Sequence, residues 1–106
     1  MAMDLNKLMQ QAQEMQAQMA KAQEELKNET VEASAGGGMV TVKATGGLEI
    51  VEIKISPDAI DPDDPDLLAD MVLAAVNEAL RSAQGLVESK LGSAMGGLQG
   101  LGLPGL

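Results

Sequence analysis

The fold is decided by residues 5–26, LNKLMQQAQEMQAQMAKAQEEL, near the start of the chain. Apolar side chains recur there at alternating spacings of three and four residues, as in a coiled coil, and the positions between them are mostly glutamine, lysine and glutamate. This spacing predicts one helix about 33 Å long, which is more than so short a chain needs to cover its own core. We expect its apolar seam to pack on the chain's own sheet or on a second copy. The seam consists of Leu5, Leu8, Ala12, Met15, Met19, Ala22 and Leu26.

Beyond this helix the apolar period changes to the alternation of half-buried strands. Residues 30–35, 39–45 and 48–55 each alternate apolar and polar side chains, and glycines separate them. The two glycines at 46 and 47 predict a two-residue turn of primed type, whose twist suits antiparallel strands. In the third segment the apolar parity switches between Ile50 and Val51. This switch predicts a β-bulge or, alternatively, a strand covered on both faces by the sheet of a second copy.

A second helix is predicted after an acidic connection, residues 56–66, which holds three prolines and five aspartates. Asp64 can accept hydrogen bonds from the first turn of this helix, and Pro65 suits its first position. The apolar face over residues 68–87 is expected to cover the sheet.

The composition predicts one small domain and a tail. Six of the 15 residues after Leu91 are glycines, so we expect a domain over residues 1–91 and a flexible Gly/Leu-rich tail over residues 92–106. The chain has 106 residues and no Phe, Tyr or Trp, so its core buries little surface per side chain. We therefore expect a homodimer.

Missing residue types exclude several function classes. The chain has no Cys and no His, which removes thiolate and imidazole chemistry and the commonest metal ligands. We expect no catalytic residue, metal, cofactor or small-molecule substrate. The aspartates at 61, 63 and 64 invite comparison with a calcium loop, but Asp66 and Val72 stand where that loop needs its glycine and its glutamate. Without aromatic rings, single-strand binding by base stacking is also disfavoured.

The charge is strongly acidic. The formal net charge is −9, and taken alone it argues against a polyanionic partner, because DNA affinity normally comes from Lys and Arg. No segment approaches the roughly 20 apolar residues of a membrane span, and the sequence MAMDLNKLMQQ lacks the apolar run of a signal peptide. We therefore expect a cytoplasmic protein.

The order of elements, together with three segments at matching separations, identifies a family resemblance. The segments are residues 8–19 (LMQQAQEMQAQM), 40–46 (VTVKATG) and 71–80 (MVLAAVNEAL), and the match extends over residues 4–91. The chain resembles the YbaB/EbfC family of small bacterial nucleoid-associated proteins. The resemblance implies an α+β fold, α-β-β-β-α, and a homodimer whose first helices protrude like the prongs of tweezers. It also implies binding of duplex DNA with modest sequence preference, a change in DNA conformation, and a role in organising the nucleoid, with possible effects on gene expression.

The resemblance places the DNA contacts on the polar faces of the first helix. Residues 4–23 are formally neutral, which makes this the least repulsive surface of an acidic chain. Glutamine can bond phosphate oxygens or base edges without carrying charge. The alternative for each position is an ordinary solvated helix face. The candidate DNA-binding residues are Lys7, Gln10, Gln11, Gln13, Gln18 and Lys21.

A second function stays open on the sequence alone. Compared with the basic residues associated with DNA binding in the family, this chain has LEIVE at 48–52, which predicts weak affinity and a shallow salt dependence. The acidic balance and the heptad seam both favour a homodimeric adaptor that binds another protein through the first helix or the tail, with little DNA contact.

Overall fold

The protein, described by a computed structural model, has the predicted α+β architecture. The structure describes the backbone of residues 4–99 and side chains as far as Ala94. A long first helix precedes a three-stranded antiparallel sheet, and a second long helix follows the sheet. The elements are α1 (Leu5–Asn28), β1 (Thr30–Ala35), β2 (Val40–Thr45), β3 (Ile50–Ile55), a short 3-10 helix (Pro57–Ala59) and α2 (Pro65–Gln99).

The sheet has the order β1-β2-β3, so β2 is central and the other two strands are edges. Val42 of β2 lies opposite Ala33 on one side and Ile53 on the other, which puts these three side chains on one face. The pairing of β2 with β3 shifts register where Lys43 and Ala44 face β3, because Val51 is an extra residue there. The predicted bulge is confirmed.

The turn between β2 and β3 differs from the predicted two-residue Gly-Gly turn. Leu48 donates its N–H to the carbonyl of Thr45 at 2.9 Å, and Thr45 donates its N–H to Glu49 at 2.9 Å, so the loop has three residues. The left-handed position is Leu48, with φ 61°, whereas neither glycine of the turn has positive φ. Glycine is required at position 46 because a side chain would not fit there. A Cβ at Gly46 would lie 2.5 Å from the carbonyl oxygen of Leu26 in α1.

The core lies between α2 and two of the three strands. Val40, Val42 and Ala44 of β2 are fully buried against the helix. Small alanines let the α2 backbone approach closely, and α2 packs on β1 and β2, as predicted for its apolar face. The helix α2 leaves much of β3 uncovered, although β3 extends the same face of the sheet that α2 covers on β1 and β2. The fully buried α2 residues are Ala75, Ala79 and Ala83.

The second helix begins as predicted and ends later. The Asp64 carboxylate accepts a hydrogen bond from the N–H of Leu67 at 3.2 Å, and Pro65 occupies the first position. The helix then runs to Gln99, eight residues beyond the predicted end of the domain at Leu91. Each glycine in this stretch costs only about 1 kcal/mol relative to Ala, and the intervening residues are ordinary helix formers. The rest of the predicted tail, residues 100–106, lies outside the described residues.

Candidate nucleic-acid interface

More than half of α1, residues 5–18, is exposed. Every described residue from Asp4 to Gln18 is exposed, and only Ala22 and Leu26, at 6% and 3% exposure, are buried in this helix. The helix has 24 residues and is therefore about 36 Å long, anchored by its last turns on α2 and β2. The protrusion predicted for the first helix is present in the single chain.

The free end of the rod that α1 forms is capped by the side chain of Asp4. The carboxylate of Asp4 accepts hydrogen bonds from the N–H of Asn6 at 3.1 Å and of Lys7 at 3.3 Å. These bonds satisfy amides that have no carbonyl partner in the first turn. The cap therefore stabilises the first turn of α1, which is exposed to solvent.

The six predicted contact residues are all exposed, and five of them share a side of α1. At 3.6 residues per turn, five positions fall within an arc of about 100°, and Gln13 lies about 60° further round. The heptad seam occupies a different side, centred roughly 110° away. Between Lys7 and Lys21 the arc contains one carboxylate, Glu14, and Glu25 lies in the same arc one turn below Lys21. The residues that share the arc are Lys7, Gln10, Gln11, Gln18 and Lys21.

The cations of α1 differ in ion pairing from those of the sheet and α2, which together we call the body. The chain has seven Lys and Arg residues, and those on the sheet and on α2 all contact carboxylates. Lys43, for example, lies between Glu32 and Glu52 at 3.6 and 3.5 Å. Among the described residues, no carboxylate lies within ion-pair distance of the three lysines of α1. These unpaired cations are Lys7, Lys21 and Lys27.

The lower end of the arc opens into a cleft between α1 and the C-terminal part of α2. The cleft has a volume of about 490 Å³ and contains Gln18 and Lys21 of the predicted set. Lys90 and Ser93 of α2 line its opposite wall. The other four predicted residues lie higher on the free part of α1. The structure thus divides the candidate set into a group at the cleft and a group on the exposed rod.

Lys90 was not among the predicted site residues, and it holds the base of α1. Its ammonium lies 2.8 Å from a carboxylate oxygen of Glu25 and 3.1 Å from one of Glu29. The hydrogen bond from Lys90, and then its charge, lower the pKa of Glu25, and the hydrogen bonds to Glu25 and Glu29 raise the pKa of Lys90. The hydrogen bond to Glu29 joins residues 61 positions apart, and no local pattern could have revealed it.

The acidic connection has local structural roles. Asp61 accepts the N–H of Asp63 at 2.9 Å, and Asp64 caps α2, so these carboxylates stabilise turns. Within the described residues no three acidic side chains are grouped as a metal ion would require. Over the same part of the chain, neither helix combines the length and the apolar character that crossing a bilayer demands.

Comparison with known proteins gives consistent matches along the chain. The family model described as the YbaB/EbfC DNA-binding family matches residues 1–98. A nucleoid-associated protein of Acetivibrio thermocellus is 55% identical over 97% of this chain and 89% of its own length. Another, from Pelotomaculum thermopropionicum, is 50% identical over 97% of this chain and 95% of its own length. The crystal structure of an uncharacterised Helicobacter pylori protein has a similar fold, with a TM-score of 0.73, 23% identity, and coverage of 92% of this chain and 99% of that one.

Proposed function

The chain belongs to the YbaB/EbfC DNA-binding family, and we propose that it binds duplex DNA as a homodimer through its protruding first helices. It acts in the cytoplasm, at the nucleoid, and the nucleoid location is supported by relatives that are named nucleoid-associated proteins. It binds with modest sequence preference and alters the conformation of the DNA, which organises the nucleoid and affects gene expression. The observation that carries the proposal is that the described lysines without ion pairs all lie on the rod formed by α1.

The chemistry of this rod suits contact with the DNA backbone more than base reading. Lysines displace counterions from phosphates, and glutamines bond phosphate oxygens or base edges. An α-helix fits the major groove, and two rods per dimer reach two positions on a duplex. Only two lysines per chain lie in the candidate arc, Lys7 and Lys21, so the attraction is modest and the sequence preference is weak.

The uncovered face of β3 supports the homodimer. Val51, Ile53 and Ile55 are 52%, 46% and 39% exposed, although Ile53 and Ile55 continue the face that α2 buries on β2. The largest fully buried side chains of the single chain are valines, so its own core provides little stability. A second copy seated on β3 would bury these side chains and hold two α1 rods in a fixed relation.

The test compares two double variants with the same change in charge. Lys7→Gln/Lys21→Gln removes two unpaired cations from α1, and Lys54→Gln/Arg81→Gln removes two ion-paired cations from the body. Binding to a short duplex is measured by fluorescence anisotropy at several salt concentrations. We expect the first variant to bind at least about tenfold more weakly and to reduce the slope of log K against log salt by up to about 3.6 per dimer. The second should bind like the wild type, and equal losses in both would contradict the proposal.

The adaptor remains a second candidate because part of the heptad seam is uncovered. Leu5, Leu8 and Met15 are 69%, 44% and 41% exposed on a helix that nothing in the described chain covers. Such a row can pair with a helix of another protein. Failure of the wild type to shift a duplex at tens of micromolar dimer and low salt would favour this function over the first.

A further inference from the structure

The junction between α1 and β1, which we call the hinge, has no linker. Asn28 ends the helix and Thr30 begins β1, so Glu29 alone connects the two elements. Its backbone is extended, with φ −92° and ψ 140°, and its N–H still bonds the last turn of α1. The direction of the rod relative to the sheet therefore depends on a few backbone angles around Glu29 and on whatever contacts restrain them.

Small changes at this hinge become large at the tip. The rod is about 36 Å long, so a rotation of about 10° at its base moves the tip by about 6 Å. Such a displacement is comparable to the width of the minor groove, about 6 Å. Two rods can grip one duplex only if both hinges are restrained.

One side chain from a third element restrains both sides of the hinge. The ammonium of Lys90 in α2 contacts Glu25 in the last turns of α1 and Glu29 at the junction itself, at 2.8 and 3.1 Å. The Lys90 side chain is only 27% exposed, which reduces competition from water and salt. The other restraints include the buried Ala22 and Leu26 and the hydrogen bond from the N–H of Gly46 to the carbonyl of Glu29 at 3.0 Å.

We propose that Lys90 is a positioning residue, which fixes the angle of α1 through its paired contacts with Glu25 and Glu29 and thereby sets the spacing of the two rods for DNA. The inference rests on the proposed function of α1. It assigns to α2 a role in DNA binding without any DNA contact by Lys90 itself.

In the decisive variant, the change in charge and the loss of positioning have opposite expected effects on DNA affinity. Glu25→Gln/Glu29→Gln removes two negative charges near the rod, so electrostatics alone predicts stronger binding to DNA. Loss of the contacts of Lys90 with Glu25 and Glu29, which we call the clip, predicts DNA binding that is about fivefold weaker. Lys90→Met should weaken binding about fivefold relative to Lys54→Met, which removes the same charge from β3. Lys90→Arg should retain wild-type affinity, because the guanidinium can bond both carboxylates.

The rod angle can be measured without DNA. The chain has no cysteine, so Asn6→Cys near the tip and Ser34→Cys on β1 provide the only spin-label sites. Labelled protein is diluted with unlabelled protein so that distances within one chain dominate. We expect a narrow distance distribution in the wild-type background and in the Lys90→Arg and Lys54→Met variants. Lys90→Met should broaden it.

The two readouts separate the possible failures. A distribution that stays narrow in Lys90→Met, or tighter DNA binding by Glu25→Gln/Glu29→Gln, would overturn the positioning role. A wild-type protein that binds no duplex would overturn the proposed function, and the spin-label distances would still decide whether Lys90 fixes the rod.

Discussion

At Gly46 the hairpin between β2 and β3 approaches α1 too closely for any side chain. Its N–H bonds the carbonyl of Glu29 at 3.0 Å, and an added Cβ would lie 2.5 Å from the carbonyl oxygen of Leu26. A sequence cannot distinguish a glycine required by space from one required by its backbone angles. The two adjacent glycines therefore predicted a primed turn, whereas the left-handed residue is Leu48.

Gly46→Ala should lower the free energy of unfolding by about 2 kcal/mol, because the new methyl group must displace the backbone of α1 at Leu26. Gly47→Ala is the matched control. A Cβ there would meet only the Thr45 hydroxyl oxygen at 3.4 Å and a Lys27 methylene at 3.6 Å, so the expected loss is less than about 0.5 kcal/mol. Urea denaturation followed by circular dichroism measures both. Equal losses would show that the contact with Leu26 is not the cause.

The pKa of Glu25 reports whether the clip at the base of α1 is formed. Lys90, through a hydrogen bond and then through its charge, lowers the pKa of Glu25 from its ordinary value of 4.5. A lowered carboxyl pKa means that the ionised form stabilises the fold. This contribution is present above pH 4.5 and is lost as pH falls through the pKa of the folded state.

Lys90→Met should therefore raise the pKa of Glu25, because, of the two influences that remain, burial raises the pKa more than the charge of Lys21 lowers it. NMR titration of the side-chain carboxyl carbons measures the change. Lys54→Met serves as the control, since Lys54 contacts Glu52 on the sheet and should leave the Glu25 titration unchanged. An unaltered Glu25 titration in Lys90→Met would mean that the contact does not persist in solution.

Local patterns predicted which segments are helices and strands, and long-range contacts decided how these elements pack. The helical period of α1, the alternation of the strands and the cap of α2 all depend on residues close in sequence, and all are present. The bulge at Val51 was also predictable, because it shifts the apolar parity within one strand. What could not be predicted is that α2 packs on β1 and β2 but leaves β3 open, since this depends on where the helix crosses the sheet.

The candidate site shows the same division. Exposure of the six predicted residues follows from their place on α1, which the heptad period gives directly. The contact of Lys90 with that helix required knowledge of how α2 runs back beside α1. Likewise, which lysines lie near carboxylates depends on cross-strand neighbours such as Glu32 and Glu52 around Lys43. Sequence alone therefore identified the rod, and the structure identified what holds it.

For this acidic chain to bind DNA as proposed, its few available cations must act together. One rod offers too few lysines for useful affinity, and its own chain is strongly negative. Two rods held by one dimer turn the second contact into an intramolecular event, which raises affinity without any new charge. Under the proposed mechanism, dimerisation is thus a condition for DNA binding.

Ile53→Lys tests this condition, because Ile53 lies on the face of β3 that α2 leaves uncovered and is 46% exposed. In a dimer formed through β3, Ile53 of each copy would be buried. The substitution therefore acts twice and should weaken the dimer by at least about 2 kcal/mol, or about 30-fold. Ile60→Lys makes the same chemical change at a side chain that is 56% exposed in the acidic connection, and it should leave the dimer intact. Sedimentation velocity at tens of micromolar measures both variants. DNA affinity should fall with the dimer in Ile53→Lys even though the α1 lysines are unchanged, whereas a wild type that sediments as a single chain would contradict the two-rod mechanism.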